Sequence, residues 1–323
     1  MKKISVMIPT YNEEENVIPI HAAIKELFST ELKSYDYEIL FIDNKSTDST
    51  RERLRCICRE DSRTRVIFNA KNFGQFNSPY YGLTKTSGDC TVMLCADFQD
   101  PIELIPTLVK EWENGYKTVC CVKTSSRENR FVRLLRTVYY KIIKKLSSVD
   151  QIEHFTGFGL YDKSFIEVLR NLDDTMPFLR GIVAELGPDL KIIEYQQAKR
   201  RAGKTKNNWY TLYDAAMISF TSYTKIGLRL ATIFGSIMSF FGLLIAFVYL
   251  VLKLLFWYNF PGGTVPVLIG VVAFGSVQLF FIGVLGEYIL SMNTRLMRRP
   301  LVVEEERINF EKNSESIKEN NEK

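Results

Sequence analysis

The chain has 323 residues, 46% of them hydrophobic, with only 10 prolines and 18 glycines, so most of it can bury a core as one large domain or two smaller ones. Its net charge of +5 is mild, and where the basic residues crowd matters more than their sum. Six cysteines show no disulfide framework, and Cys56-x-Cys58 has no second ligand pair among only two histidines, which argues against structural zinc and for a reducing compartment.

In chain order, MKKISVMIPTYNEEE has neither a long apolar centre nor a small-residue cleavage site, so it does not read as a signal peptide. Ile4–Ile8 is an apolar strand ending at Pro9. Glu13–Leu27 places Val17, Ile20, Ile24 and Leu27 at helical spacing. Tyr37–Asp43 is a second strand, and Ser46-Thr47-Asp48 opens a capped helix. Arg65–Phe68, Thr91–Leu94 and Thr118–Val122 are further strands. Pro101–Glu113 reads as a helix with proline in its first turn. Strands alternating with helices imply a mostly parallel α/β sheet covered on both faces, with ligands at the carboxyl ends of the strands. That rule gathers Pro9–Glu13, Asp43-Asn44, Asn69–Gln75 and Asp97–Gln99 around one crevice. Neither a P-loop nor a dinucleotide fingerprint is present.

The stretch Cys95–Pro101, CADFQDP, follows a buried strand with an oxygen cluster of Asp97, Gln99 and Asp100. Two acids spaced Asp-x-Asp suit a divalent cation on a diphosphate, but here Cys95 fills the first slot. The stretch is either a substituted metal site or a polar turn, and Cys95 reads as a small buried residue. Arg127–Lys145 interleaves basic and aromatic residues. A nucleic acid, anionic lipid headgroups or a solvated helix face would each fit, and proximity to membrane segments favours the lipid.

Further on, Trp209–Tyr223 is aromatic-rich and suits either a membrane interface or an ordinary packed helix. Ala231–Leu252 and Thr264–Gly286 carry no charge, and each is long enough to cross a hydrocarbon layer of about 30 Å as a helix. Lys225 and Arg229 before them, and Arg295, Arg298 and Arg299 after, place both flanks on the cytoplasmic side of a hairpin. The polar tail after Val303 is expected to be disordered.

Taken together, PTYNEEENV (9–17), FIDNKSTDST (41–50), KNFGQ (71–75), CADFQDP (95–101), FLRGIVAELG (178–187) and RRAGKTK (200–206) resemble the inverting family-two glycosyltransferases. The subgroup that acts on polyprenyl phosphates is the most similar. The resemblance covers about residues 3–300. It implies a GT-A-like (Rossmann-like) catalytic domain over 1–206, a juxtamembrane amphipathic segment over 207–226 and two transmembrane helices within 227–292, at about 228–256 and 264–290. A cytoplasmic segment and tail would fill 293–323. It further implies an enzyme of the inner or plasma membrane, multi-pass, with catalytic domain and both termini cytoplasmic. The donor would be UDP-glucose or another UDP-hexose and the acceptor a polyprenyl phosphate, with inversion, for cell-envelope or glycan modification. Partners would be the lipid bilayer and a homo-oligomer of unstated size, with no nucleic acid.

Carried over residue by residue, the resemblance gives Pro9, Tyr11 and Glu13 the nucleotide pocket and Asp43 the base edge. Asp97 with Gln99 would hold Mg2+ or Mn2+ on the donor diphosphate, and Arg200 would lie near the phosphates. Arg133 and Thr137 would bind the lipid phosphate. Asp162 is the acid left in HFTGFGLYDK (154–163), as a catalytic group or a helix cap. Cys95 and Asn44 each stand where the family often has Asp. Two other readings stay open: transfer to a glycolipid or glycan acceptor, and a membrane scaffold with a degenerate site. The missing Trp after Gln196–Arg201 argues against a processive synthase.

Overall fold

The computed structural model describes residues 1–125, 152–202 apart from 173 and 199, and 264–310, with scattered helical positions between 217 and 255. The basic segment 127–145, most of Trp209–Tyr223 and the tail beyond 310 lie outside the described residues. The chain divides into two units, one of residues 1–137, 150–208 and 298–323, the other of 138–149 and 209–297.

The first unit is built on an eight-stranded sheet in the order β7-β5-β6-β4-β1-β2-β3-β8. In chain order the strands are β1 (Lys3–Thr10), β2 (Asp36–Asp43), β3 (Thr64–Asn69), β4 (Cys90–Met93), β5 (Thr118–Ser125), β6 (Phe155–Asp162), β7 (Leu190–Gln196) and β8 (Glu304–Ile308). Parallel pairing joins β1 to β2 and β4, β2 to β3, and β5 to β7. Strands β6 and β8 run the opposite way. The chain moves outward from β1 through β2 to β3, then returns to lay β4 on the other side of β1. That reversal opens a crevice at the carboxyl ends of β1 and β4, where open α/β sheets bind ligands.

The expected alternation holds, and the helices explain themselves locally. Helix α1 (Val17–Thr30) buries Val17, Ile20, Ile24 and Leu27, one stripe at helical spacing. Helix α2 (Thr50–Glu60) buries Leu54, Ile57 and Cys58. Together with α4 (Ile105–Glu113) they cover one face of the sheet, over Ile4, Val6, Ile8, Phe41 and Val92. The other face, with Met7, Leu40, Ile42 and Ile67, is covered by α3 (Gly74–Thr84), α5 (Lys163–Asn171) and α6 (Leu179–Leu186). Each aliphatic side chain fully buried this way contributes roughly 1.5–3 kcal/mol.

Three elements depart from expectation. The helix expected over Pro101–Glu113 is split, with a 3-10 turn at Ile102–Leu104 ahead of α4. Helix α3 contains Pro79 and no strong helical stripe. It forms because Gly82 lets its backbone come so close to the sheet that a Cβ there would lie 3.0 Å from Met7 and Ile42. The third departure is a correction: the tail after Val303 is not disordered throughout. It forms β8, antiparallel to β3, and Asn309 Nδ2 donates to the carbonyls of Cys58, Asp61 and Thr64. Its charges, which argued for disorder, are matched by Lys45, Arg51 and Arg55.

In the second unit, helix α7 spans Thr264–Leu296, and its stretch Val277–Leu296 has a mean hydropathy of 1.2 with none of it buried. Among the described residues it is the one helix long and apolar enough to cross a membrane. The described positions of the Ala231–Leu252 run are helical and exposed.

Candidate active site

The turn after β1 is the first wall of the crevice. Thr10 is buried and its carbonyl accepts from the Asn44 backbone N–H at 2.9 Å, so the ends of β1 and β2 are tied together. Asn12 takes a left-handed φ of 54°. It keeps that conformation through bonds to the next turn: its N–H donates to Ser46 Oγ at 2.8 Å, and its Oδ1 accepts from the Thr47 N–H at 2.7 Å. Glu13 follows, its N–H donating to Thr50 Oγ1 at 2.9 Å and its Oε2 accepting from Asn16 Nδ2 at 2.6 Å. Pro9 and Tyr11 are half-buried on the same turn.

Asp43 ends β2 and is fully buried. It accepts from the Ser46 N–H at 3.1 Å and from the Ser46 hydroxyl, and Arg51 Nε lies 3.5 Å away. Burial, opposed by Ser46 and Arg51, pushes its carboxyl above the usual aspartate range. Asp43 shapes the turn from beneath, because both of its oxygens are engaged and none faces solvent.

Asn44, expected as a substituted acid, has a structural reason to be an amide. Its Nδ2 donates to Asn72 Oδ1 at 2.9 Å and to the Gly74 carbonyl at 3.1 Å, while its Oδ1 accepts from Asn69 Nδ2 at 3.1 Å and the Phe73 N–H at 2.9 Å. A carboxylate could accept the last two bonds but could not donate the first two. Asn44 thus fixes the 69–74 loop against the β2 turn.

The second wall follows β4. Asp97 is 3% exposed. Its Oδ1 accepts from the Gln99 N–H at 3.1 Å, and Arg200 Nη2 lies 2.8 Å from its Oδ2. The same guanidinium is 3.8 Å from Glu13 Oε1. One arginine therefore brings together Glu13, from the β1 turn, and Asp97, from the β4 turn. The Arg201 N–H donates to the Asp97 carbonyl at 3.1 Å, and its guanidinium covers the Phe98 ring at 5.1 Å. Gln99 is half-buried on the same turn.

Asp100 holds this turn in shape. It accepts from the Cys95 N–H at 3.0 Å and from Tyr195 Oη at 2.9 Å, and burial raises its carboxyl above the ordinary value. Cys95, expected to be a small buried residue, instead opens to solvent. Dense protein nonetheless surrounds it, as at the floor of a cleft. That surrounding, and then the Asp100 and Asp97 carboxylates, hold its thiol well above its usual pKa.

Asp162 is corrected as a catalytic group. It pairs with Cys90, the first residue of β4, and so lies at the rim opposite Asp97. There it caps α5 through the Ser164 N–H at 2.9 Å and accepts from Trp112 Nε1 at 2.7 Å, with Lys117 Nζ 3.4 Å away. Burial pushes its pKa up, but the bonds from Ser164 and Trp112 outweigh that and hold it below the usual aspartate range. Arg133 and Thr137 lie outside the described residues, as does Lys206.

Sequence reading passed over Lys123, near the carboxyl end of β5. Burial lowers its ammonium pKa while Asp100, Cys95 and Asp97 pull it back up, which places a half-buried cation among the groups of the β4 turn. Only the crossover from β4 to β5 brings it there, and no local motif marks it.

Residues 5–187 match Glycosyl transferase family 2. A prophage bactoprenol glucosyl transferase homolog of Escherichia coli is 31% identical over 302 residues, covering 92% of this chain and 97% of its own length. The SfII prophage-derived bactoprenol glucosyl transferase of Shigella flexneri is 31% identical over 302 residues, with 92% and 96% covered. Among solved structures, glucosyl-3-phosphoglycerate synthase of Mycobacterium tuberculosis superposes with a TM-score of 0.51 at 19% identity, over 68% of this chain and 79% of that one, which shows the shared fold. With its carboxylates gathered at the carboxyl rim of a GT-A-like, mostly parallel sheet, the chain belongs to Glycosyl transferase family 2 and is a glycosyltransferase.

Proposed function

We propose that the chain transfers a hexose from a nucleoside-diphosphate donor, UDP-glucose or another UDP-hexose, to a polyprenyl phosphate at a membrane face, with inversion at the anomeric carbon. The observation that carries this reading is Arg200 held between Asp97 and Glu13 at the switch point of the sheet. A diphosphate leaving group needs its developing charge neutralised, and the Arg200 guanidinium together with a cation held by Asp97 would supply that. The relatives named as bactoprenol glucosyl transferases support a lipid acceptor and a glucosyl donor.

A divalent cation fits the residues present in one specific way. Among the described residues no group of three or more His, Cys, Asp or Glu could hold a metal. A small hard cation needs only one or two carboxylates when substrate phosphates complete its shell. Asp97 would hold Mg2+ or Mn2+, with Gln99 beside it, and the cation would act as a Lewis acid on the donor diphosphate. Cys95 is a soft group on a protonated thiol and adds no ligand for Mg2+.

The protein's own residues do the rest. Glu13 and Asp97 fix Arg200 in a rigid fork at the phosphates. The Asn12–Ser46 and Asn44–Phe73 bonds keep the nucleotide side of the crevice in shape before any ligand arrives. The acceptor phosphate is already an anion at neutral pH, so its oxygen attacks without a strong general base. That removes the need for Asp162, which the fold places elsewhere. Asn44 is explained by its loop contacts and gives no support to a decayed site. Helix α7 and the apolar run before it supply the bilayer attachment that a lipid acceptor requires.

The test is transfer by purified full-length protein from labelled UDP-glucose to undecaprenyl phosphate. The label should move to the lipid phase, and EDTA should stop it. Asp97→Ala should lower turnover by at least about 100-fold with the circular dichroism spectrum unchanged. Near-normal turnover by that variant would refute the assignment, and label found only on a glycan would redirect the acceptor.

A further inference from the structure

Strand β8 comes after α7 in the chain, yet it returns to the sheet edge beside the nucleotide turn. Its pairing with β3 is irregular. Phe68 opposes Glu306 and Asn69 opposes Glu304, so Glu305 is the extra residue of a bulge. Bulges re-aim a side chain, and they concentrate at sheet edges and next to active sites. Here the bulge turns Glu305 Oε2 onto two groups of the β2 side of the crevice: Lys45 Nζ at 2.6 Å and Arg51 Nη2 at 3.0 Å.

One partner lies in the turn that Asp43 supports and the other opens α2 just after it. Lys45, within the turn, takes a left-handed conformation of φ 64° that is costly for a lysine. Arg51 sits on the Phe68 ring, with Nε 3.5 Å from Asp43 Oδ2. Its buried Nε and Nη2 make no aligned hydrogen bond, so among the described residues Asp43 and Glu305 balance their charge. The neighbouring Glu306 pairs with Arg55, one turn further along α2, and does not reach the turn.

We infer that Glu305 is a positioning residue of the donor pocket, acting through Lys45 and Arg51 to hold the Asp43–Ser46 turn, so that the chain beyond the membrane helix completes the nucleotide site. This rests on the reading of the crevice as a donor site. A plain edge-covering strand would protect β3 without needing a bulge at this residue.

UDP binding by the full-length protein in detergent, with Mg2+, tests it by titration calorimetry. Glu305→Gln should raise the UDP dissociation constant roughly two- to fivefold, the range an exposed ion pair supplies. In turnover it should raise KM for the donor while kcat and KM for the lipid stay the same. Glu306→Gln removes the same charge from the same strand and should leave UDP affinity unchanged. Lys45→Gln breaks the pair from the other side and should repeat the Glu305→Gln result, which keeps the test open if that variant folds poorly. Equal UDP affinity in all four proteins, or equal weakening by Glu305→Gln and Glu306→Gln, would overturn the inference. Absence of UDP binding by the unaltered protein would instead overturn the donor-site reading, and the inference with it.

Discussion

Asn44 shows how much one functional-looking position can owe to architecture. Its amide joins β2 to the 69–74 loop through two donated and two accepted bonds. Asn44→Asp should therefore lower stability by about 1–3 kcal/mol, since Asn72 Oδ1 and the Gly74 carbonyl would face a carboxylate with nothing to donate. A thermal melt against the unaltered protein checks this, and an equal or higher midpoint would contradict it. Glu38, at the far rim of the sheet, makes a pH prediction. It is 2% exposed, and burial pushes its pKa up. The bonds from Ser5 and Ser87 and the charge of Lys3 outweigh burial and lower it overall. A carboxyl with a depressed folded pKa stabilises fully above its unfolded value, near 4.5, and that stability is lost as pH falls through the lower folded value. Melts taken between pH 6 and about pH 3 should show a weaker acid dependence in Glu38→Gln than in the unaltered protein.

At the scale of elements, Gly82 is the sharpest test of packing. A valine there would push its Cβ to 3.0 Å from Met7 and Ile42 of the sheet, and the expected cost is about 1–3 kcal/mol. Calorimetric melting reads it out. The elements that could be read in the sequence share a cause: β1, β2, β3 and β4 are buried on both faces, so each is an unbroken apolar run with a turn after it. Helix α3 escaped because its helicity depends on a glycine contact with the sheet rather than on an apolar stripe. Strand β8 escaped because EEERI has the composition of a solvated tail, and only the cations on the β2 turn and α2 make it a strand. The site divides the same way. Asp97 and Glu13 were legible because each follows an apolar strand directly. Asp162 was misread because β6 runs antiparallel, so the end of that strand lies at the opposite rim, and direction cannot be told from a ten-residue motif. Lys123 was invisible because only the crossover places it.

For the whole molecule, the pairing of β8 with β3 fixes a matter of parity. The chain leaves the sheet after β7, runs through both apolar stretches and re-enters the same sheet at β8. A sheet lies on one side of a bilayer, so whatever happens between residues 197 and 303 must bring the chain home to the compartment it left. An even number of crossings satisfies this and a single crossing does not, so if α7 traverses a bilayer it does so with a companion. In sealed vesicles, cysteines introduced by Asn259→Cys and Ser316→Cys into a variant with Cys56 and Cys95 replaced by serine should react with an impermeant maleimide from opposite faces. Reaction of both from the same face would mean that the apolar stretches lie along the membrane rather than through it. Two hydrogen-bonded edge strands thus act as a lock on topology, set by the sheet and independent of the charge of the flanks.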